Sequence, residues 1–80
     1  MTWWVYIIKC NDDSFYTGIS PTVEKRVWKH NNKRGSKYVR SKLPAILVYK
    51  EAHEDKIKAA KREREIKGWT REKKLHLIQG

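Results

Sequence analysis

Eighty residues with a formal net charge of +10 make one small, strongly basic domain. No run approaches the ~20 apolar residues of a membrane span, and Lys9 interrupts the only apolar segment near the N-terminus, which excludes a signal peptide of ordinary form. The single cysteine, Cys10, has no internal disulfide partner, which fits a reducing, cytoplasmic setting. The basic charge, with four Trp, four Tyr and one Phe, points to a nucleic-acid partner. At this size a single core supplies only about 3–5 kcal/mol. The aromatics matter to it, since each buries roughly 150–250 Å².

In chain order, Trp3 to Cys10 is β-branched and aromatic and predicts a strand. It is apolar on both faces, as a central strand covered on both sides would be. Asn11-Asp12-Asp13-Ser14 is a turn cluster, and Phe15 to Ser20 is a second strand. Residues directly opposite on paired strands point to one face. Tyr6 and Tyr16 therefore share a face only if the loop is odd in length. A three-residue loop, Asn11-Asp12-Asp13, does this by pairing Cys10 with Ser14. A two-residue turn would separate the tyrosines. In the odd register Gly18 lies on the same face and leaves room for a ligand or backbone to approach.

Ser20-Pro21 predicts a helix start, and the helix runs to about Asn32. Val23 and Val27 mark its buried stripe, with Arg26 and His30 one turn apart at its edge. Lys33 to Lys42 is a basic loop containing Lys33, Arg34, Lys37, Tyr38 and Arg40, closed by Pro44. Ala45 to Lys50 predicts a third strand, continued to about His53. Glu54 or Asp55 opens a second helix that ends at Lys67-Gly68, with glycine as C-cap. Ile57, Ala59, Ala60 and Ile66 form its apolar half, and Lys58, Lys61, Arg62 and Glu65 its polar half. Glu63 falls inside the apolar half, which is costly unless the carboxylate is paired or holds a cation. Thr70 caps a short last helix from Arg71 to about Gln79, with Leu75 and Ile78 facing in. His53 and His76 read as surface residues, Cys10 as a small buried one, and the four tryptophans as core or partly buried. The order is that of a single α+β domain over residues 1–80: a three-stranded antiparallel sheet flanked by three helices, ββαβαα.

Taken singly, each polar residue has an ordinary structural explanation. Taken together, they resemble a GIY-YIG nuclease domain over essentially the whole chain, and in particular its small single-domain bacterial branch. Trp4-Val5-Tyr6 and Tyr16-Thr17-Gly18 stand for the two name-giving triplets. Trp4 replaces a glycine and Thr17 an isoleucine, and no asparagine follows Asn32, although some members carry one after the glutamate helix. Arg26, His30 and Glu63 match the family's arginine, its tyrosine or histidine, and its glutamate.

The resemblance implies a metal-dependent endonuclease hydrolysing phosphodiester bonds, with Tyr6, Tyr16, Arg26 and His30 catalytic. One Mg²⁺ or Mn²⁺ would sit on Glu63, as such an ion binds through one or two carboxylates plus substrate phosphate. Arg26 offers a planar fork for a phosphate oxygen. Either Tyr6 or His30 would be the base. DNA is favoured over RNA, in repair or processing, with weak sequence preference, and Gly18 and the basic loop would contact the nucleic acid. The competing reading is a non-catalytic nucleic-acid-binding module on the same fold.

Overall fold

Three strands, β1 (Trp3–Lys9), β2 (Phe15–Ser20) and β3 (Ile46–His53), form one antiparallel sheet in the order β2-β1-β3. Three helices complete the chain: α1 (Val23–Asn31), α2 (Lys56–Lys67) and α3 (Arg71–Gln79). This computed structural model describes residues 1–32 and 42–80. The predicted basic-loop residues Lys33, Arg34, Lys37, Tyr38 and Arg40 lie outside the described residues.

The apolar pattern of β1 is explained by its central place, where Val5, Tyr6, Ile7 and Ile8 are all buried. Tyr6 and Ile8 face one layer, with Cys10, Val23 and Ala45, and Trp4, Tyr16, Val27 and Leu47 pack against it. Val5 and Ile7 face the other, with Ala59 and Ile66, joined by Phe15, Trp69, Leu77 and Ile78. Helix α1 therefore covers one side of the sheet, and α2 and α3 cover the other. In α3, Leu77 joins Ile78 in that core, while Leu75 is half-buried.

The hairpin loop has three residues. Cys10 N–H donates to Ser14 O at 2.8 Å, and Asp13 N–H donates to Cys10 O at 3.0 Å. Asp13 takes a left-handed φ of 67°, which is the usual third position of a three-residue hairpin loop. The register pairs Tyr6 with Gly18 and Ile8 with Tyr16, so both tyrosines and Gly18 share the α1 face. On the other edge of β1, a register shift between Ile7 and Ile8 pairs them with Tyr49 and Leu47. The extra residue, Val48, lets Val48 and Tyr49 both serve the α2 face.

Several local details differ from the sequence expectation. Ser20 ends β2 instead of capping α1, and its hydroxyl accepts from Thr22 N–H at 3.0 Å. The helix starts at Val23, two residues past Pro21. Gly68 does follow α2, but in right-handed geometry, so no glycine-specific backbone ends that helix. Asp55 and Thr70 cap α2 and α3 by accepting from Lys58 N–H and Lys73 N–H. Ile57 is 81% exposed and Trp28 55% exposed, so neither belongs to the core.

Candidate active site

The site begins with the pairing of Tyr6 and Gly18. A Cβ on Gly18 would lie 2.6 Å from the Tyr6 hydroxyl and 2.7 Å from its Cζ. The bare glycine thus makes room for the tyrosine ring itself, not for the approaching ligand that the sequence suggested. Tyr6 is 1% exposed, and its ring passes over Gly18 of β2 to reach His30 of α1.

Helix α1 supplies two partners one turn apart. His30 Nε2 lies 3.2 Å from the Tyr6 hydroxyl, and the Arg26 guanidinium is near enough to the same oxygen to favour its charged form. In the tautomer protonated at Nδ1, Nε2 accepts the phenolic proton; in the other tautomer it donates to the hydroxyl. The His30 ring also meets Tyr16, edge-on, with centroids 5.4 Å apart. His30 therefore stands against both tyrosines. It is 1% exposed, and its Nδ1 has no protein hydrogen-bond partner among the described residues.

The electrostatics follow from burial. Burial raises the Tyr6 pKa above its ordinary value, over the opposing influence of Arg26, and the Tyr16 and Glu63 charges add to the rise. Burial lowers the His30 pKa, helped by the Arg26 charge. His30 is thus neutral near pH 7 and able to accept a proton, while Tyr6 holds its own unless a partner takes it.

Glu63 arrives differently from the other four residues. Glu63 is carried by α2, which lies under the face of the sheet opposite Tyr6. Its side chain comes past the edge strand β2. It pairs with Lys67 at 3.6 Å, and the Lys67 ammonium stands 6.0 Å from the centroid of the Tyr16 ring. Glu63 remains 22% exposed in its side chain, and its charge is among those that raise the Tyr6 pKa. Among the described residues no group of three or more His, Cys, Asp or Glu side chains could enclose a metal. The donor set fits a hydrated divalent cation held by one carboxylate and completed by water and substrate phosphate.

A second polar cluster, on the α2 face, was not foreseen. Glu51 accepts from the Tyr49 hydroxyl at 2.6 Å and from Arg62 Nε at 3.0 Å, and lies 2.6 Å from His53 Nε2. His53 is therefore half-buried and engaged, not a free surface residue as expected. Arg62 sits between Ala59 and Ile66 on the buried stripe of α2, and its guanidinium stacks 5.0 Å over Trp69. The sequence signal available was the spacing of 59, 62 and 66, which places Arg62 with the apolar residues. Its partner, eleven residues earlier on a strand, leaves no local trace.

Comparison with known protein families matches residues 2–76 to the GIY-YIG catalytic domain. Among curated proteins, the chain is 53% identical over 75 residues to a UPF0213 protein of Staphylococcus epidermidis, covering 94% of this chain and 92% of that relative. It is 51% identical, with the same coverage, to a UPF0213 protein of Staphylococcus saprophyticus. Among solved structures, the solution NMR structure of a UPF0213 protein from Bacillus halodurans matches at a TM-score of 0.63 and 39% identity. One of a protein from E. faecalis matches at 0.66 and 32% identity. Both matches cover 99% of this chain and 84% of the other.

Proposed function

The chain belongs to the GIY-YIG family, whose members are generally nucleases, and we propose that it is an active endonuclease cleaving phosphodiester bonds of DNA with one divalent metal. The observation that carries this reading is the contact between the Tyr6 hydroxyl and His30 Nε2, with the Arg26 charge acting on the same oxygen. A structural tyrosine needs one hydrogen-bond partner. This one has a cation beside it that favours its charged form and a neutral imidazole placed to take its proton.

The proposed chemistry uses each residue once. Tyr6 takes a proton from the attacking water as its own passes to His30. This joins the two candidate bases in one relay, so neither acts alone. Burial keeps His30 neutral and ready for that step. Arg26 is half-buried beside Tyr6 and offers its donors to a phosphate oxygen. Tyr16, against His30, orients the water or the phosphate. Glu63 would hold the Mg²⁺ or Mn²⁺, which supplies neutralisation of the charge growing on the phosphate and leaving oxygen. A cation there also offsets the Glu63 charge, one of the influences that raise the Tyr6 pKa.

Weak sequence preference follows from size, because specific protein–DNA interfaces bury roughly 1,000–2,500 Å². No helix among the described residues is long and apolar enough to cross a membrane. The reading places the protein in the cytoplasm, with the nucleic acid.

The test is incubation with supercoiled plasmid and with single-stranded DNA, in Mg²⁺, in Mn²⁺ and in EDTA. Glu63→Ala and Arg26→Ala are run in parallel. Metal-dependent nicking lost in both variants supports the nuclease. Salt-sensitive binding without cleavage in either metal supports the binding module instead.

A further inference from the structure

We propose that the outer edge of β2 carries the phosphate backbone of the nucleic acid into the site, with Lys67 and Arg71 as its two contact points. The inference rests on the nuclease reading for the identity of its ligand. Neither cation belongs to the five residues above or to the predicted basic loop.

Strand β2 is an edge of the sheet, and it carries Tyr16. Phe15 and Tyr16 are successive residues on it and point to opposite faces. A cation sits over each ring: Lys67 Nζ is 6.0 Å from the Tyr16 centroid, and the Arg71 guanidinium is 4.4 Å from the Phe15 centroid. The two charges thus straddle the strand where it passes the site. They are brought together by the short junction Gly68-Trp69-Thr70, between the last residue of α2 and the first of α3.

Both positions are set yet open. Arg71 donates to the Asp13 carbonyl, which fixes the guanidinium against the hairpin loop. Among the described residues no carboxylate pairs with it, and the residue is exposed. The Lys67 side chain is 52% exposed, and its one ion pair is with Glu63. That pair links the edge to the proposed chemistry. The pair is long, at 3.6 Å, and the lysine half-exposed, so the Lys67 ammonium can turn from Glu63 to a phosphate oxygen with or without a cation on the carboxylate.

A basic chain has exposed cations everywhere, so position must be separated from charge. Lys58 provides the comparison. It lies on the same helix, about 13 Å from Lys67 along the axis, and it also pairs with a carboxylate, Glu54, at 3.0 Å. The experiment measures binding of a fluorescent oligonucleotide, single-stranded and duplex, across a salt series in EDTA. The proteins are wild type, Lys67→Met, Arg71→Met, Arg71→Lys and Lys58→Met, each checked for an unchanged circular dichroism spectrum and melting curve.

Each lost phosphate contact removes about 0.7–0.9 from the slope of log affinity against log salt, which is about fivefold in affinity at 0.15 M salt. Lys67→Met and Arg71→Met are expected to show that loss, while Arg71→Lys and Lys58→Met keep the wild-type slope. Wild-type slopes in either Lys67→Met or Arg71→Met, or an equal loss in Lys58→Met, would overturn the proposal. So would an absence of binding by the wild type. Failure of the nuclease reading shows separately, as intact binding of this pattern without metal-dependent cleavage.

Discussion

Arg62 Nε donates to Glu51 Oε2 at 3.0 Å, tying the middle of α2 to β3 on the face of the sheet opposite Tyr6 and His30. Only Ala59 and Ile66 of α2 are fully buried. Two side chains one helical stripe apart hold a helix against a sheet but fix its rotation poorly. Arg62, between them, adds a directional tie through Glu51, the Trp69 ring and a second carboxylate, Glu65, at 2.9 Å. The next residue is Glu63, so the tie also sets the angle at which Glu63 passes β2.

The first prediction concerns that tie. Arg62→Ala leaves Glu51 without its cation and is expected to cost about 1–3 kcal/mol, as loss of a charged, part-buried hydrogen bond does. Urea unfolding measures it. An unchanged midpoint would show that the pair is ornamental.

The same cluster predicts a pH effect. Burial pushes the Glu51 carboxyl up, but the hydrogen bonds from Tyr49, His53 and Arg62 outweigh it and hold the pKa below the ordinary carboxylate value. The unfolded chain therefore binds the proton first as pH falls. The Glu51 contribution to stability is present above the unfolded pKa and is lost as pH drops through the folded one. Burial and the bond to Glu51 push Tyr49 up to about 12. Its contribution is present below pH ~10 and is lost as pH rises through about 12. Glu51→Gln is expected to flatten the acid side of a stability–pH curve measured by urea unfolding. An identical acid limb in that variant counts against the assignment.

Gly18→Ala tests the placement of Tyr6 without touching a catalytic atom. The new Cβ would fall 2.6 Å from the Tyr6 hydroxyl, and that ring is 1% exposed and hydrogen-bonded to His30. Overpacking of this kind costs about 1–3 kcal/mol. The displaced hydroxyl is also expected to lower cleavage far more than DNA binding. Equal cleavage rates in Gly18→Ala and wild type would mean that the Tyr6 position is not critical.

His30 sets the expected acid limb of activity. Burial, with the Arg26 charge, holds its pKa below the ordinary histidine value of about 6.5. Cleavage is therefore expected to persist below pH 6.5 and to fall only as His30 itself protonates. Stability follows the same sign, since the unfolded histidine binds its proton first as pH falls. A kcat/KM profile with its acid limb above pH 7 would remove His30 from the relay.

Much of the fold is legible in the residues themselves. A strand apolar on both faces is central because only a central strand has two buried faces. The Asn-Asp-Asp loop sets the parity that brings Tyr6 beside Tyr16, and the caps Asp55 and Thr70 mark helix starts through their own side-chain oxygens. What is not legible depends on partners distant in sequence. Ser20 resembles a helix cap, but its hydroxyl serves Thr22 while its backbone is still in the strand. The expected division of α2 puts Arg62 on the polar half and Ile57 on the apolar half, although the 59, 62 and 66 spacing already sets Arg62 beside Ala59 and Ile66. The structure reverses them, because Glu51 and Trp69 pair with Arg62 and no neighbouring element covers Ile57. The wheel puts Glu63 on the α2 inner face but cannot show that this face lies across the sheet from Tyr6, so its route past β2 needs the three-dimensional arrangement.

The most direct test of the whole account is the nicking rate of supercoiled plasmid by Tyr6→Phe against wild type, at saturating Mg²⁺ and equal fraction folded. The variant keeps the ring over Gly18 and removes only the oxygen that meets His30. If Tyr6 passes a proton from water to His30, the rate is expected to fall about 10²–10⁴-fold, the usual worth of a positioned general base, with DNA binding unchanged. Nicking by Tyr6→Phe at the wild-type rate would contradict the account.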